Sequence, residues 1–115
     1  MGTALELRRE TIDGNPAVRL FGEIDISNAA LFARALKEAV SNIDHELILD
    51  LSHVTYVDSA GIRVMFDLSR RLNNHQQRLV VIVPDGSGVR RSLSLGGLLH
   101  AVEVRGASGN PRSQT

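Results

Sequence analysis

The chain of 115 residues is 43% hydrophobic and 23% charged, which is the composition of one globular domain with its own core. Its 13 basic and 13 acidic side chains balance, so no overall charge would attract it to nucleic acid or to an anionic membrane. The sequence contains no cysteine, which excludes disulfides and thiolate zinc sites. A charged N-terminus and the lack of a long apolar run predict a cytoplasmic protein with neither a signal peptide nor a membrane span.

The first part of the chain predicts a β-hairpin followed by a helix. Residues 4–10 and 17–21 alternate apolar and polar side chains, and the turn formers DGNP at 13–16 lie between them. Ser27 is placed to cap a helix that runs to about residue 41. The apolar stripe predicted for this helix contains Phe32, Leu36, Val40 and Ile43, and its solvent face contains Arg34, Lys37 and Glu38.

The second part predicts alternating strands and helices. ELILDL at 46–51 is almost entirely apolar, as expected for a strand that is covered on both faces, and RLVVIV at 78–83 predicts another buried strand. Residues 59–72 between them have apolar side chains at helical spacing, so the three elements are expected to form a right-handed βαβ unit with parallel strands. A short helix is predicted over 88–95 and a last strand over 101–104.

The predicted element order is β-β-α-β-α-β-α-β, which is typical of an α/β domain with helices packed on a mixed sheet of four or five strands. The domain is expected to cover residues 1–105. Residues 106–115 contain almost no apolar side chains and are expected to form a flexible tail.

The segment TYVDSAGIRV at 55–64 offers several kinds of chemistry. Ser59 opens the predicted second helix, so its hydroxyl can cap the helix by accepting a free backbone N–H, a role that Asp58 can also fill. The same position suits a phosphate, because a helix N-terminus offers N–H groups and the positive end of the helix dipole. Gly61 has no Cβ and is expected to let another chain approach this turn.

A catalytic serine is a third interpretation of the same segment. Ser59 departs from the hydrolase motif G-x-S-x-G, because Val57 stands where the first glycine belongs. Its base would have to be one of the four histidines, whose spacing contains no metal-binding pattern. These are His45, His53, His75 and His100.

A loop with two acids precedes the first predicted helix. Glu23 and Asp25 lie in FGEIDISNA at 21–29, and paired carboxylates can perform acid–base chemistry or bind a cation. Two acids in a loop are more commonly solvated, and Asp25 can also help to cap the helix.

A glycine-rich loop follows the strand predicted at 78–83. PDGSGVRRS at 84–92 lacks the Gly-Lys-Ser/Thr ending of a P-loop, which favours a flexible strand-to-helix connection. Loops at the carboxyl ends of parallel strands lie together, so this loop is expected to share a surface with 57–62 and to add the charges of Arg90 and Arg91.

Three of these segments together resemble the STAS family, specifically the bacterial anti-sigma factor antagonists, in order over about residues 4–105. LFGEID at 20–25 is similar to the family's strand ending in G-E-[LI]-D. LILDLSHVTYVDSAGIRVM at 47–65 is similar to its strand, loop and D-S-[SAT]-G-[LI] helix start. RLVVIVPDGSGVRRSLSLGGLLHAVEV at 78–104 resembles its closing segment, including the small residues before a short final strand.

The resemblance implies a binding protein that regulates transcription under stress, and not an enzyme. In the family, the partner anti-sigma factor is also an ATP-dependent serine kinase, and the phosphoacceptor position corresponds to Ser59. The unphosphorylated form binds the anti-sigma factor and releases a sigma factor, and a phosphatase resets the phosphorylated form. The resemblance implies no cofactor, no metal, no direct nucleic-acid contact and no membrane. The residues it implies for partner binding are Asp25, Asp58, Ser59, Ala60, Gly61, Ile62 and Arg63.

Three features bear on how this sequence would use the family pattern. Arg63 replaces a frequent glycine, which predicts a bulkier and more basic contact surface. Ala60 leaves Ser59 as the only hydroxyl of the turn, and the third helix lacks a common aromatic residue. Two alternatives stay open, namely an unphosphorylated STAS scaffold that binds constitutively and a small hydrolase or nucleotide-binding enzyme.

Overall fold

The computed structural model describes residues 4–41 and 43–106, and it confirms the predicted element order. Residues 107–115 of the predicted tail lie outside the described residues. A 3₁₀ turn at Leu98–His100 precedes the last strand, which therefore begins two residues later than predicted. The strands and helices are β1 (Leu5–Ile12), β2 (Asn15–Ile24), α1 (Ala29–Val40), β3 (Glu46–Val57), α2 (Ser59–Asn73), β4 (Arg78–Ile82), α3 (Gly88–Leu95) and β5 (Glu103–Arg105).

The hairpin of β1 and β2 turns over two residues and not over the predicted four. Asp13 and Gly14 both have positive φ, 52° and 82°, as the tight turns that connect hairpin strands require. Asn15 and Pro16 belong to β2, where Pro16 lies opposite Thr11.

The sheet has the order β1-β2-β3-β4-β5, with β1 antiparallel and every other neighbouring pair parallel. This confirms the predicted parallel βαβ unit and the mixed sheet. The strands β2 and β3 are longer than predicted, because two irregularities in their register let them pair as far as Ile24 and Val57. At the second irregularity Gly22 has φ 110°, and a Cβ there would overlap the carbonyl oxygen of Ala4. The two strands therefore end side by side, and the loops that follow them meet.

One face of the sheet carries all three helices. Side chains of β2, β3 and β4 on this face pack with residues of α1, α2 and α3 in the main core. In α1, Phe32 and Leu36 are buried as predicted, and Arg34, Lys37 and Glu38 are exposed. In α2, the buried side is formed by Gly61, Met65, Leu68, Ser69 and Leu72. None of the described helices is long and apolar enough to cross a bilayer.

The opposite face carries no helix among the described residues, yet residues 46–51 of β3 are buried on both faces, as predicted. Ala17, Ile48, Val80 and Ile82 form a small separate cluster there. The two acids of β3, Glu46 and Asp50, are 7% and 4% exposed on this face. Ion pairs explain how acids can be buried here, because each carboxylate meets an arginine from a neighbouring strand.

The ion pairs link the strands across this face. Glu46 pairs with Arg78 of β4 at 3.0 Å and with Arg105 of β5 at 3.7 Å. The hydrogen bond that Arg78 Nε donates to Glu46, and then the charge of Glu103, raise the pKa of Arg78 above its ordinary value. Asp50 accepts a 2.8 Å hydrogen bond from Arg19 Nε and two more from the backbone and hydroxyl of Ser52.

We expect Asp50→Ala to lower the free energy of unfolding by about 2 kcal/mol, because three donors lose their buried acceptor. Glu6→Ala is the matched control. Glu6 accepts a 2.7 Å bond from Arg8, but both side chains are more than half exposed, so its loss should cost less than about 0.5 kcal/mol. Urea unfolding curves of both variants measure the difference. Equal midpoints would contradict a structural role for the ion pairs on this face.

Candidate functional site

Ser59 lies at the first position of α2, two residues after Val57 at the carboxyl end of β3. Its side chain is exposed and makes no hydrogen bond with any residue in the described part of the chain. The interpretation that Ser59 caps the helix is therefore wrong. Its hydroxyl takes no part in holding the fold and faces solvent at the N-terminal end of the helix.

Asp58 is the residue that caps α2. Its Oδ1 accepts hydrogen bonds from the backbone N–H of Ala60 at 2.9 Å and of Gly61 at 3.2 Å. Its Oδ2 accepts a third bond, of 3.1 Å, from the backbone N–H of Ile26. The backbone N–H of Asp58 donates to the carbonyl of Ile24 at 3.1 Å. One carboxylate thus fixes the start of α2 and also ties it to the loop after β2.

Asp25 and its neighbours shape that second loop. Asp25 Oδ1 accepts from the backbone N–H of Ser27 at 2.9 Å and from the Ser27 hydroxyl. Asn28 is the residue before α1. Its Oδ1 accepts a hydrogen bond from the backbone N–H of Asp25, and its Nδ2 donates one to the carbonyl of Glu23. The predicted cap at Ser27 is wrong, because its hydroxyl is bound to Asp25 and α1 begins two residues later. Glu23 lies within β2 and not after it.

Ile26 at the tip of this loop is 78% exposed, although it is a large apolar residue. The bond between its backbone N–H and Asp58 holds it next to the start of α2. Sequence reasoning did not select Ile26. It could have been noticed in the sequence as a large apolar residue inside a polar loop, where it is not placed to pack in the core.

The Cα hydrogen side of Gly61 faces the core. This glycine is buried, and a Cβ at this position would lie 2.7 Å from Ile24 Cγ2 and 2.8 Å from Val57 Cγ2. The expectation that its missing side chain leaves room for another chain is therefore wrong, because Ile24 and Val57 occupy that space. Of the other predicted contact residues, Ala60 and Ile62 are half-buried, and Arg63 is exposed.

A cleft of about 370 Å³ opens beside Ser59 between α2 and the end of α3. It is lined by Ser59, Ile62, Arg63, Phe66, Asp67, Arg70 and Gly96. The predicted basic contribution of Arg90 and Arg91 is not found here. Both line a different cleft, and Arg90 pairs with Asp85 at 3.2 Å. The positive charges near Ser59 come from α2 itself.

The structure brings no histidine into contact with Ser59 among the residues it describes. His53 stacks on Phe21 with ring centroids 4.9 Å apart, and His75 Nδ1 lies 3.0 Å from the carbonyl of Arg71. Within the same described ranges, no group of three or more His, Asp or Glu side chains is arranged to hold a metal ion. The arrangement at Ser59 therefore provides an exposed hydroxyl at a helix start, with no histidine bonded to it in the described part of the chain.

Comparisons with known proteins give one family match and several similar structures. The family model described as the STAS domain matches residues 6–109. The anti-sigma-F factor antagonist RsfB of Mycobacterium tuberculosis is 31% identical over 86 residues, which are 75% of this chain and 69% of RsfB. A crystal structure of an anti-sigma factor antagonist from Mycobacterium paratuberculosis has a TM-score of 0.78 at 24% identity, covering 89% of this chain and 86% of that one. The anti-sigma factor antagonist SpoIIAA in its unphosphorylated form has a TM-score of 0.72 at 19% identity, with 95% and 94% covered.

The cap geometry predicts effects of very different size for two neighbouring substitutions. Asp58→Ala removes the acceptor of three N–H groups and should lower the free energy of unfolding by about 1–2 kcal/mol. Ser59→Ala should change it by less than about 0.5 kcal/mol, because the hydroxyl is not used by the fold. Chemical denaturation of the two variants and the wild type measures both effects. A larger loss for Ser59→Ala than for Asp58→Ala would show that serine is the cap after all.

Proposed function

The chain belongs to the STAS family, and on that basis we propose that it is an anti-sigma factor antagonist controlled by phosphorylation of Ser59. In its unphosphorylated form it binds an anti-sigma factor, and the sigma factor held by that protein becomes free to join RNA polymerase. In its phosphorylated form it dissociates, and transcription of the stress genes stops.

The observation that carries this proposal is the division of labour between Asp58 and Ser59. Asp58 satisfies the N–H groups of the helix start, so Ser59 can be modified without loss of the cap. The Ser59 side chain is exposed and can enter the active site of a kinase. A helix N-terminus also tolerates added negative charge, because its dipole is positive at that end. Phosphorylation at this position therefore leaves the fold intact.

The effect on binding is electrostatic and local. A phosphate adds about −1.5 to −2 charges at neutral pH, in a domain whose net charge is zero. It would sit next to the carboxylate of Asp58, inside the surface that the partner covers. Burying such a group against a partner surface that supplies no matching cation costs several kcal/mol, and a loss of about 3 kcal/mol weakens binding roughly a hundredfold. No rearrangement of the sheet is required.

The function implies two further proteins in the cytoplasm. The anti-sigma factor is itself the serine kinase that modifies Ser59, and a separate phosphatase restores the binding form. RsfB, whose name describes an antagonist of an anti-sigma-F factor, supports the choice of partner class. A binding protein fits the site better than a hydrolase, since the Ser59 hydroxyl makes no hydrogen bond to a histidine or carboxylate in the described part of the chain, and the three N–H groups named above already occupy Asp58.

We expect a pull-down from native lysate to recover a kinase-like anti-sigma factor with the wild type but not with Ser59→Asp. Incubation with that partner and ATP should add one phosphate to the wild type and none to Ser59→Ala, as read by intact mass spectrometry. Ser41→Asp is the matched control, because Ser41 is exposed at the far end of α1 and should bind normally. Equal recovery with Ser59→Asp would indicate a constitutive scaffold and would rule out the proposed switch.

A further inference from the structure

The cleft beside Ser59 has an apolar floor and a cationic rim. Ile62 and Phe66 are half-buried side chains of α2 that line it, and both also pack against the main core. Arg63 and Arg70 line it from the exposed side of the same helix. The cleft thus places apolar side chains and two guanidinium groups beside Ser59 on the α2–α3 side of the molecule.

Gly96 at the end of α3 helps to keep the cleft open. A Cβ there would lie 3.2 Å from both Ile62 Cδ1 and Ile62 Cγ2, closer than ordinary packing allows. Any larger residue at this position would therefore press on the apolar floor.

The two arginines are available to a partner. Arg63 makes no ion pair or hydrogen bond with any of the residues described here. Arg70 has a 3.8 Å contact with Asp67, but both side chains are more than 60% exposed, and such pairs contribute little. A guanidinium prefers the planar, two-oxygen geometry of a carboxylate, which makes an acidic group the natural complement of this rim.

We propose that the cleft receives a segment of the anti-sigma factor in which an apolar side chain lies next to carboxylates. The apolar side chain would cover Ile62 and Phe66, and the carboxylates would pair with Arg63 and Arg70. The proposal rests on the function proposed above and continues its interface, since Ser59 lines the same cleft. Nucleic acid fits less well, because affinity for phosphates grows with the number of cations, and the rim has two arginines with Asp67 between them.

The position of Arg63 connects this contact to the phosphate switch. Residues four apart lie on the same side of a helix, so a phosphate on Ser59 is within reach of Arg63. When the phosphate captures that guanidinium, the partner's carboxylate loses its cation. Phosphorylation then acts twice, by adding negative charge at the interface and by withdrawing Arg63 from it.

The test measures the affinity of the purified anti-sigma factor for three charge-reversal variants by biolayer interferometry. Arg63→Glu and Arg70→Glu should each weaken binding about tenfold or more, mainly through slower association that depends on salt. Arg71→Glu is the matched control, because Arg71 is exposed on α2 but lines a separate groove against α1. It should bind within about twofold of the wild type.

The outcomes separate this inference from the proposed function. If Ser59→Asp abolishes binding while Arg63→Glu and Arg70→Glu bind like Arg71→Glu, the cleft is not the acidic segment's site and the antagonist function stands. If the wild type binds no anti-sigma factor, the function itself fails. Fluorescence anisotropy with a short DNA duplex tests the other class of partner. Binding to DNA that is lost in Arg63→Glu, with no loss for the anti-sigma factor, would overturn the inference.

The proposed role of Arg63 in the phosphate switch is tested by comparing how much phosphorylation lowers the binding affinity with and without this arginine. In Arg63→Gln the guanidinium is absent from both states, so phosphorylation should weaken binding by a smaller factor than in the wild type. An equal factor in the two proteins would show that the phosphate does not act through Arg63.

Discussion

The carboxylate of Asp58 organises the site, because it accepts hydrogen bonds from backbone N–H groups in two different segments of the chain. Its bonds to Ala60 and Gly61 begin α2, and its bond to Ile26 holds the loop after β2 against that helix start. The serine that follows is left with no structural task. A residue that the fold does not need can be modified at little cost in stability, and this makes a switch possible at Ser59.

The sheet supplies the geometry in which this carboxylate works. Because β2 and β3 are parallel and pair as far as Ile24 and Val57, their loops leave the sheet at the same edge. Close packing of Gly61 against those two side chains fixes the height of α2 above that edge. On the opposite face, ion pairs between neighbouring strands replace a second layer of helices. The helices are thus confined to one face, where α2 and α3 form the cleft beside Ser59.

Much of this arrangement could be predicted from the sequence, since the element order and the parallel βαβ unit follow from apolar periodicity. The burial of Glu46 and Asp50 could not, because their partners Arg78 and Arg19 are distant in sequence. The motif around Ser59 was visible, but its division of roles was not. Asp and Ser are both good caps, and the choice between them depends on the position of the backbone N–H groups.

The charged residues around Ser59 could not be predicted correctly from the sequence either. Arg90 and Arg91 were expected beside it because their loop follows a parallel strand, yet Arg90 is held by Asp85 and the cations of the cleft come from α2.

The central claim is that the Ser59 hydroxyl lies inside the interface with the anti-sigma factor. A crystal structure of the unphosphorylated complex tests it most directly. The account predicts that this hydroxyl, exposed in the free protein, is enclosed by partner atoms; a solvent-exposed Ser59 remote from the partner would contradict it.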